Sequence, residues 1–422
     1  MGNSDGGEPD RHYRWYVLAV LMLVYTMHYV DRSVINAILE PIRTEFHLSD
    51  AQLGLLAGPA YAIAFAVAGL PLGLLIDRRN RTRLLALLLT IWSGLTLASG
   101  LAGGFLSLLV ARMAVGAAEA GGSPTAMSIL SDYFPPHRRA SATGIFFLSV
   151  TSGILFGYMV SGLVAYHHGW RAAFFIAGAP GVALALLLIL TVREPPRGRF
   201  DPPQATPSVR PDLRSILQEL AGNVPLRWTL LGIIIAATVT SGFNAFVISL
   251  LVRRYEMGLG EAASVVALCI GLGGGGGSVL WSLLSDRLGR RGRHYPPLLI
   301  AWTSVAAAVI GIIGVLSPVK IVTIIGIAGY GTLVASFLGS GYGLLLNLAP
   351  PTIRGSCTAV SQVIINLVGA GFGPVVVGGL STMLAPPFGG DGLTPALTLV
   401  LALSCGAALC HIAVSRALKH GG

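Results

Sequence analysis

The sequence Gly73-Leu-Leu-Ile-Asp77-Arg78-Arg79-Asn80-Arg81 follows a long apolar run, and a related sequence, Asp286-Arg287-Leu288-Gly289-Arg290, follows another apolar run 209 residues later. A second pair of similar stretches, at 134–143 and 349–358, is separated by 215 residues. Two matches at nearly the same offset indicate that the chain contains two copies of one structural unit. Many transporters are built from such repeats, with the substrate site between them near the middle of the membrane.

The composition indicates the class of protein. The chain has 422 residues, of which 54% are apolar and 11% are charged. Because a soluble domain has about 25% charged residues, this chain cannot cover a soluble surface. Apolar runs of about 20 residues, long enough to cross a bilayer, recur along its length. These features exclude a soluble enzyme, a disordered chain and a nucleic-acid-binding protein, and they predict an all-α polytopic membrane protein.

We predict twelve transmembrane helices in two six-helix bundles. The predicted spans lie near residues 15–38, 52–76, 84–103, 105–131, 141–165, 171–192, 228–252, 261–285, 296–317, 319–348, 355–384 and 393–417. With this arrangement, 21 of the 28 Lys and Arg residues fall on the side of the N-terminus and 5 on the opposite side. Positive residues collect in cytoplasmic loops, so both termini are expected in the cytoplasm.

A proline-rich, charged stretch divides the chain. Residues 193–226 contain several prolines and arginines, a composition typical of a semi-extended linker. We therefore expect an N-terminal bundle over 1–192, a cytoplasmic linker over 193–226 and a C-terminal bundle over 227–422.

Four charged residues lie well inside predicted spans, away from the span ends: Asp31 and Arg32 in the first, Arg112 and Glu119 in the fourth. Each costs about 2.5–3.5 kcal/mol at a bilayer centre on insertion scales, so we expect them to pair across the two helices at a functional site. The arginines are candidate binders of an anionic substrate, and the two acids are candidate proton carriers. His28, one turn before Asp31, is a candidate proton relay, although hydrogen bonding to a neighbour would also explain it. A purely architectural ion-pair network is the alternative for the whole cluster.

The second half has no comparable buried charge. Its polar and bulky candidates for substrate binding are Asn244, Gln362, Asn366, Phe243 and Phe337. The cavity is therefore expected to be ionic on one wall and mostly apolar on the other, which suits an amphipathic substrate with an anionic or zwitterionic head.

The two Asp-Arg loops are interpreted as a gate latch, meaning an ion pair that forms in one conformation and breaks in another. A charged loop that only sets topology is the alternative. We expect Asn80 or Gly289 to adopt a left-handed turn there. The latch residues are Gly73, Asp77, Arg78, Arg81, Asp286, Arg287 and Arg290.

These loops resemble the signature of the major facilitator superfamily, with Asn80 where the family usually has glycine. Several other motifs resemble the spinster-like subfamily: Tyr29-Val-Asp31-Arg32, Trp92-Ser93, Ala111-Arg112-Met-Ala-Val-Gly116-Ala-Ala-Glu119-Ala120, Ser131-Asp132-Tyr-Phe-Pro-Pro136, Gly169-Trp-Arg171-Ala-Ala-Phe174 and Arg193-Glu-Pro-Pro-Arg-Gly198. The resemblance implies alternating access by rocking of the bundles and proton-coupled export of lysolipids or sphingosine phosphates. By similarity, Asp31, Arg32, Arg112 and Glu119 would serve coupling and head-group binding, with Tyr29 in the same motif.

The leading hypothesis is a proton-coupled transporter of a lipid-like anion or zwitterion. A proton symporter of a small organic acid anion and a passive lipid scramblase are the alternatives. The expected partners are the substrate, protons and membrane lipid, with no enzyme activity, cofactor, metal or nucleic acid. We expect a monomer in a bacterial inner membrane.

Overall fold

The computed structural model describes residues 11–200, 213–350 and 354–420, and within these ranges the side chains at positions 11, 70, 77, 136, 137, 140, 213, 354–356 and 420 are outside the description. Twelve helices in these ranges are long and apolar enough to cross a membrane. They span His12–Ala37, Asp50–Gly69, Arg81–Ser99, Phe105–Tyr133, Ser141–His168, Trp170–Thr191, Val224–Tyr255, Leu259–Gly289, Tyr295–Leu316, Lys320–Leu348, Cys357–Leu384 and Leu393–Lys419. The predicted all-α membrane fold with twelve spans is therefore confirmed, and we number the spans one to twelve in this order.

Several spans are irregular. The second span bends at Gly58, between the helices Asp50–Ala57 and Pro59–Arg78. The eighth, tenth and eleventh spans each contain a π-helical turn, at Ala267–Leu272, Phe337–Gly341 and Ile365–Ala370 respectively. Such turns often occur at functional sites, and two of the predicted substrate residues, Phe337 and Asn366, lie within them.

Two predictions about connecting segments were wrong. The linker is not semi-extended throughout, because Leu213–Gly222 forms a helix whose Ile216 and Leu220, four residues apart, are buried against the last six spans. Asn80 has a φ of −61° and caps the third span by accepting a hydrogen bond from the Arg83 backbone N–H, while Gly289 is helical. Neither residue makes a left-handed turn.

The left-handed conformation occurs instead at the opposite side of the bundle. His47 ends the short helix Leu39–Phe46 with a φ of 52°, and Glu256 ends the seventh span with a φ of 51°. These two positions are 209 residues apart, the offset of the Asp-Arg loops. The backbone thus repeats a local geometry at the spacing found in the sequence.

The halves touch mainly at one end. We call the end that carries residues 78–81 and 193–198 the linker face and the other end the far face. Near the far face a Cβ atom at Gly378 would lie 2.1 Å from the Asp50 carbonyl oxygen, and one at Gly162 would lie 2.1 Å from the Ala263 Cβ. Toward the linker face, the described helices Gly122–Tyr133 and Tyr342–Leu348 pack mainly on helices of their own halves. The cleft between the halves is closed at the far face and open at the linker face.

Candidate functional site

The first span carries a buried polar group at its middle. His28 and Asp31 are three residues apart and face the interior of the first six spans, with exposures of 3% and 0%. Arg32 and Tyr29 occupy the adjacent face and are partly exposed. Helical geometry therefore separates an inner pair from an outer pair, and the outer pair faces the open space.

The fourth span brings the other two predicted charges to the same place. Arg112 and Glu119 are two turns apart, and both are buried. Arg112 Nη1 donates a hydrogen bond to the backbone carbonyl oxygen of Asp31 at 3.1 Å. Glu119 Oε2 lies 3.2 Å from His28 Nδ1. The four predicted charged residues and His28 thus form one group, which we call the charge cluster.

Tyr61 of the second span, which was not among the predicted site residues, connects the members of the cluster. Its hydroxyl donates a 2.6 Å hydrogen bond to Glu119 Oε2. The guanidinium carbons of Arg32 and Arg112 lie 4.9 and 5.5 Å from its ring centroid. An isolated tyrosine in an apolar run gives no sequence signal for this role.

The expected arginine–carboxylate pairing was wrong for this conformation. Among the described residues, no guanidinium of Arg32 or Arg112 lies within 4.0 Å of a carboxylate in the cluster. The arginines lie instead over aromatic rings or bond to a main-chain carbonyl. Both carboxylate oxygens of Asp31 and the Oε1 atom of Glu119 have no hydrogen-bond partner in the described part of the chain. A buried carboxylate without a donor is costly, and protonation relieves that cost.

The third span closes the cluster from behind. Trp92, Ser93 and Thr96 are buried, and the ring of Trp92 lies edge-on to His28 at 6.3 Å between centroids. The indole nitrogen and both hydroxyl oxygens have no partner among the described residues. The cluster therefore borders further polar groups inside the first half.

The second half contributes a less polar wall, but not with all the residues predicted. Asn244 and Asn366 are partly exposed and Gln362 is exposed. The prediction that Phe243 lines the cavity was wrong, because its ring is 0% exposed and packs on Tyr330 at 4.5 Å between centroids. Phe337 is buried as well.

The predicted latch residues do not bridge the halves in this conformation. Arg81 is buried within the first half, where it binds Asp132, Glu194 and the Ser128 carbonyl oxygen. In the second half Asp286, Arg287 and Arg290 are exposed, and no ion pair joins them to another described residue. In the first half, Arg78 is exposed and Gly73 borders open space, whereas Asp77 lies outside the described side chains. The latch stays a prediction.

Glu194 fixes the start of the linker to the first half. Its carboxylate accepts hydrogen bonds from Arg81 Nε at 2.8 Å and from the Thr82 backbone N–H at 2.9 Å. Burial acts to raise the pKa of Glu194, but the Thr82 N–H and Arg81 outweigh it and hold the pKa below its usual value.

An ionic network that the sequence analysis missed closes the far face. Arg253, at the end of the seventh span, donates to both carboxylate oxygens of Asp50 at 2.7 and 2.8 Å and to Glu40 at 2.8 Å. Ser381 of the eleventh span also donates to Asp50, at 2.6 Å. We call Glu40, Asp50, Arg253 and Ser381 the far-face lock, since it joins residues of the first half to residues of the second.

A second contact holds the segment 38–49 on the first half, to which it belongs. The side chains of Trp170 and Arg171 donate to Glu45 at 2.7 and 2.8 Å. These bonds, from Arg171 and then Trp170, lower the pKa of Glu45. The segment 38–49 is thus fixed at one end to the sixth span and at the other to the seventh.

Comparison with known proteins agrees with this architecture. The model of the family "Major Facilitator Superfamily" matches residues 21–374. An MFS-type efflux pump of Mycolicibacterium smegmatis is 28% identical over 96% of this chain and 94% of its own length. Human protein spinster homolog 1 is 28% identical over 87% of this chain and 73% of its own length.

A solved structure resembles the whole molecule. The crystal structure of a bacterial homolog of the human lysosomal transporter Spinster, in an inward-facing and unoccupied conformation, superposes with a TM-score of 0.90 at 28% identity, covering 97% of this chain and 98% of its own. With twelve spans in the same arrangement, this chain belongs to the Major Facilitator Superfamily and is a spinster-like transporter.

Proposed function

We propose that the protein is a proton-coupled secondary transporter that moves an amphipathic lipid-like anion or zwitterion across the membrane. Transport by alternating access is general in the superfamily, and the fold is that of transporters rather than enzymes. The charge cluster is the observation that carries the proposal, since it puts two acids, two arginines and a histidine inside one half.

An anionic head group is supported by the position of Arg32. Its guanidinium lies between the rings of Tyr29 and Tyr61, at 5.7 and 4.9 Å from their centroids, and it is partly exposed to the open cleft. A guanidinium fork binds phosphate or carboxylate in two parallel hydrogen bonds. Arg112 is 2% exposed, so we assign it to holding the first span rather than to contact with substrate.

Proton coupling is supported by the unpartnered carboxylate oxygens. Asp31 and Glu119 are both 0% exposed, and neither is neutralised by an arginine within ion-pair distance among the described residues. Because no arginine in the described part of the chain is in contact with either carboxylate, a proton gained or lost by one acid changes a charge that has no adjacent counter-charge. Because Arg32 belongs to the same cluster, such a change alters the potential at the head-group position.

A lipid-like tail is supported by the opposite wall. The spans of the second half carry amides and many apolar side chains, and none of their described charged residues is buried. A hydrocarbon chain is compatible with the apolar part of such a wall, whereas a small sugar acid would leave that part without a contact.

The orientation follows from the loops. We propose that the linker face lies in the cytoplasm of a bacterial cell, with both termini there and the protein in the inner membrane. The positive residues of the linker-face segments support this placement. The described conformation is then inward-facing.

The test is flux into proteoliposomes with and without an imposed pH gradient, for a lysophospholipid and for a sugar acid. We expect saturable lysolipid flux that responds to the gradient. Asp31→Asn and Glu119→Gln should each reduce gradient-driven flux, at least one of them to background. Glu261→Gln, which alters an exposed acid paired with Lys320, is the matched control.

The other outcomes are distinct. Flux of the sugar acid alone would favour the organic-anion symporter, and lysolipid flux that neither saturates nor responds to a gradient would favour a scramblase. Full gradient-driven transport by both acid variants would refute the coupling.

A further inference from the structure

The first and seventh spans each carry one asparagine where the open cleft ends. Every residue from Ser33 to Leu39 is buried except Asn36, which is partly exposed. Every residue from Gly242 to Leu251 is buried except Asn244, which is also partly exposed. The accessible faces of both spans therefore stop at these asparagines, and the closed far-face lock lies beyond them.

The two asparagines occupy corresponding positions of the repeat. They are 208 residues apart, within one residue of the offset between the Asp-Arg loops. The corresponding position to Arg32 is Thr240, so the charge differs between the halves whereas the amide recurs. We call Asn36 and Asn244 the amide pair.

Tyr158 of the fifth span joins the pair. Asn36 Nδ2 donates to the Tyr158 hydroxyl at 3.4 Å, and that hydroxyl donates to the backbone carbonyl oxygen of Asn244 at 3.3 Å. The Tyr158 hydroxyl proton is therefore engaged with this backbone carbonyl oxygen and does not serve a side-chain oxygen of either asparagine. The side-chain carbonyl oxygens of both asparagines are buried and have no partner among the described residues.

These two oxygens determine which chemical groups can bind where the cleft ends. Each is a hydrogen-bond acceptor, and an acceptor left unpaired in a buried place costs free energy. Because the last torsion of asparagine is broad, a small rotation brings the oxygen toward the cleft. A ligand that satisfies the pair must supply N–H or O–H donors.

The spacing between Asn36 and Arg32 relates the donor group of such a ligand to its anionic group. Asn36 follows Arg32 by four residues, which places it on the same helix face about 6 Å further along the axis. The Arg32 guanidinium leans back over the Tyr29 ring, so a phosphate bound there lies on the linker-face side of the amide pair, and a substituent on that phosphate extends along the cleft toward the pair. Phosphoethanolamine and phosphoglycerol carry such a substituent and end in donors, whereas phosphocholine carries a substituent of similar length that has no donor.

We propose that Asn36 and Asn244 form a subsite that selects substrates whose head carries a primary amine or hydroxyl beyond its phosphate. The inference rests on the proposed function, because it assumes a lipid-like anion at Arg32. The subsite adds to that function a specificity determinant with one residue from each half. The uncharged amide pair distinguishes head groups of similar size by whether they carry a hydrogen-bond donor.

The experiment measures binding of three lysophospholipids with one acyl chain and ethanolamine, glycerol or choline heads to the purified protein. We expect the first two to bind about tenfold more tightly than the choline lipid, the usual effect of one hydrogen bond made or left unmade. Asn36→Leu and Asn244→Leu should each reduce this preference to less than about threefold, without weakening choline-lipid binding. Asn347→Leu, at an exposed amide of the tenth span, should retain the wild-type preference.

Equal binding of all three lipids by the wild-type protein, or equal weakening of all three by the variants, would overturn the subsite and leave the transporter proposal intact. Binding of none of the lipids would instead remove the lipid-like substrate, and the subsite with it. If a leucine variant does not fold, Asn36→Ser and Asn244→Ser keep a small polar group and make the same comparison.

Discussion

Within the charge cluster, one aromatic ring contacts two guanidinium groups, one of them buried and the other partly exposed to the cleft. Arg32 and Arg112 both lie within 6 Å of the Tyr61 ring centroid, a distance at which a cation is attracted to the ring by about 0.5–2 kcal/mol. The hydroxyl of the same residue binds Glu119. Tyr61 thus links the proposed proton site to the proposed head-group site through two separable parts of one side chain.

The two parts of Tyr61 can be removed one at a time. Tyr61→Phe removes the donor to Glu119 but keeps the ring, so we expect substrate affinity within about threefold of wild type and gradient-driven flux lowered about tenfold. Tyr61→Ala also removes the ring and should weaken substrate binding about tenfold. Binding and flux assays on the same preparations check this. Wild-type flux with Tyr61→Phe would show that the hydroxyl has no part in coupling.

Glu194 gives a prediction about pH and stability. Because its pKa is lowered in the folded protein, its bonds to Arg81 and Thr82 stabilise the fold above the usual glutamate value of about 4.3, and this stabilisation is lost as the pH falls through the lowered pKa. The melting temperature of the wild-type protein should therefore fall between about pH 5 and pH 3 by more than that of Glu194→Gln. Glu261→Gln should behave as wild type. Parallel melting curves for wild type and Glu194→Gln would contradict the assignment.

How far single residues can be predicted depends on their chemistry. Asp31, Arg32, Arg112 and Glu119 were predictable because charge in an apolar run is rare and costly. Phe243 was placed wrongly because lipid, protein core and cleft are all compatible with a phenylalanine, so its helix face cannot be read from hydrophobicity. The same ambiguity applies to Tyr61, so its place in the charge cluster could not be predicted from the sequence.

At the scale of elements, the apolar runs located the spans to within about four residues, since a bilayer fixes their length, apart from the end of the second span, which was expected at 76 and lies at Gly69. The details outside the bilayer were less predictable. Asn80 favours both a turn and a helix cap, and the cap is what forms. The linker helix Leu213–Gly222 follows from the spacing of Ile216 and Leu220, which the nearby prolines obscured.

The far-face lock is an element that can be opened selectively. Arg253→Gln removes charge-assisted bonds to Glu40 and Asp50, each worth about 1.5–3 kcal/mol, and should shift the protein at least about tenfold toward a state open at the far face. The neighbouring Arg254 bonds only to Val315, Leu316 and Thr394 among the described residues, all in the second half. Arg254→Gln is therefore the matched control.

Distances across the far face measure this shift. Spin labels at Thr44→Cys and Phe388→Cys, both exposed, report the separation of the halves in a background without the native cysteines. Longer distances in Arg253→Gln alone are expected. An unchanged distribution, or an equal change in Arg254→Gln, would mean that the lock does not set the closed state.

For the whole molecule, the described conformation is one of the two that alternating access requires. The division into bundles over 1–192 and 227–422 stays a prediction, although the contacts at the far face and the open cleft at the linker face are compatible with it. Sequence reasoning could not supply this conformation, because both states use the same helices and differ in how the halves meet.

A covalent link across the far face should stop the cycle without preventing binding. The backbone N–H of Ala51 donates to Thr382 Oγ1 at 3.1 Å, so we expect Ala51→Cys with Thr382→Cys to form a disulfide on oxidation. Flux should then fall to the level of empty liposomes while substrate binding remains, and reduction should restore flux. Either cysteine alone should transport normally. Undiminished flux in the oxidised double variant would exclude far-face opening as a step in transport.

The linker has a consequence for how the two halves stay together. Arg197 donates to the carbonyl oxygens of Ile76 and Arg79 in the first half, while the helix Leu213–Gly222 packs on the second. The two described ends of the linker are therefore anchored on different halves. A cut between residues 200 and 213 would leave each fragment with its own anchor and its own contact surface, so the two halves should reassemble when they are synthesised as separate polypeptides.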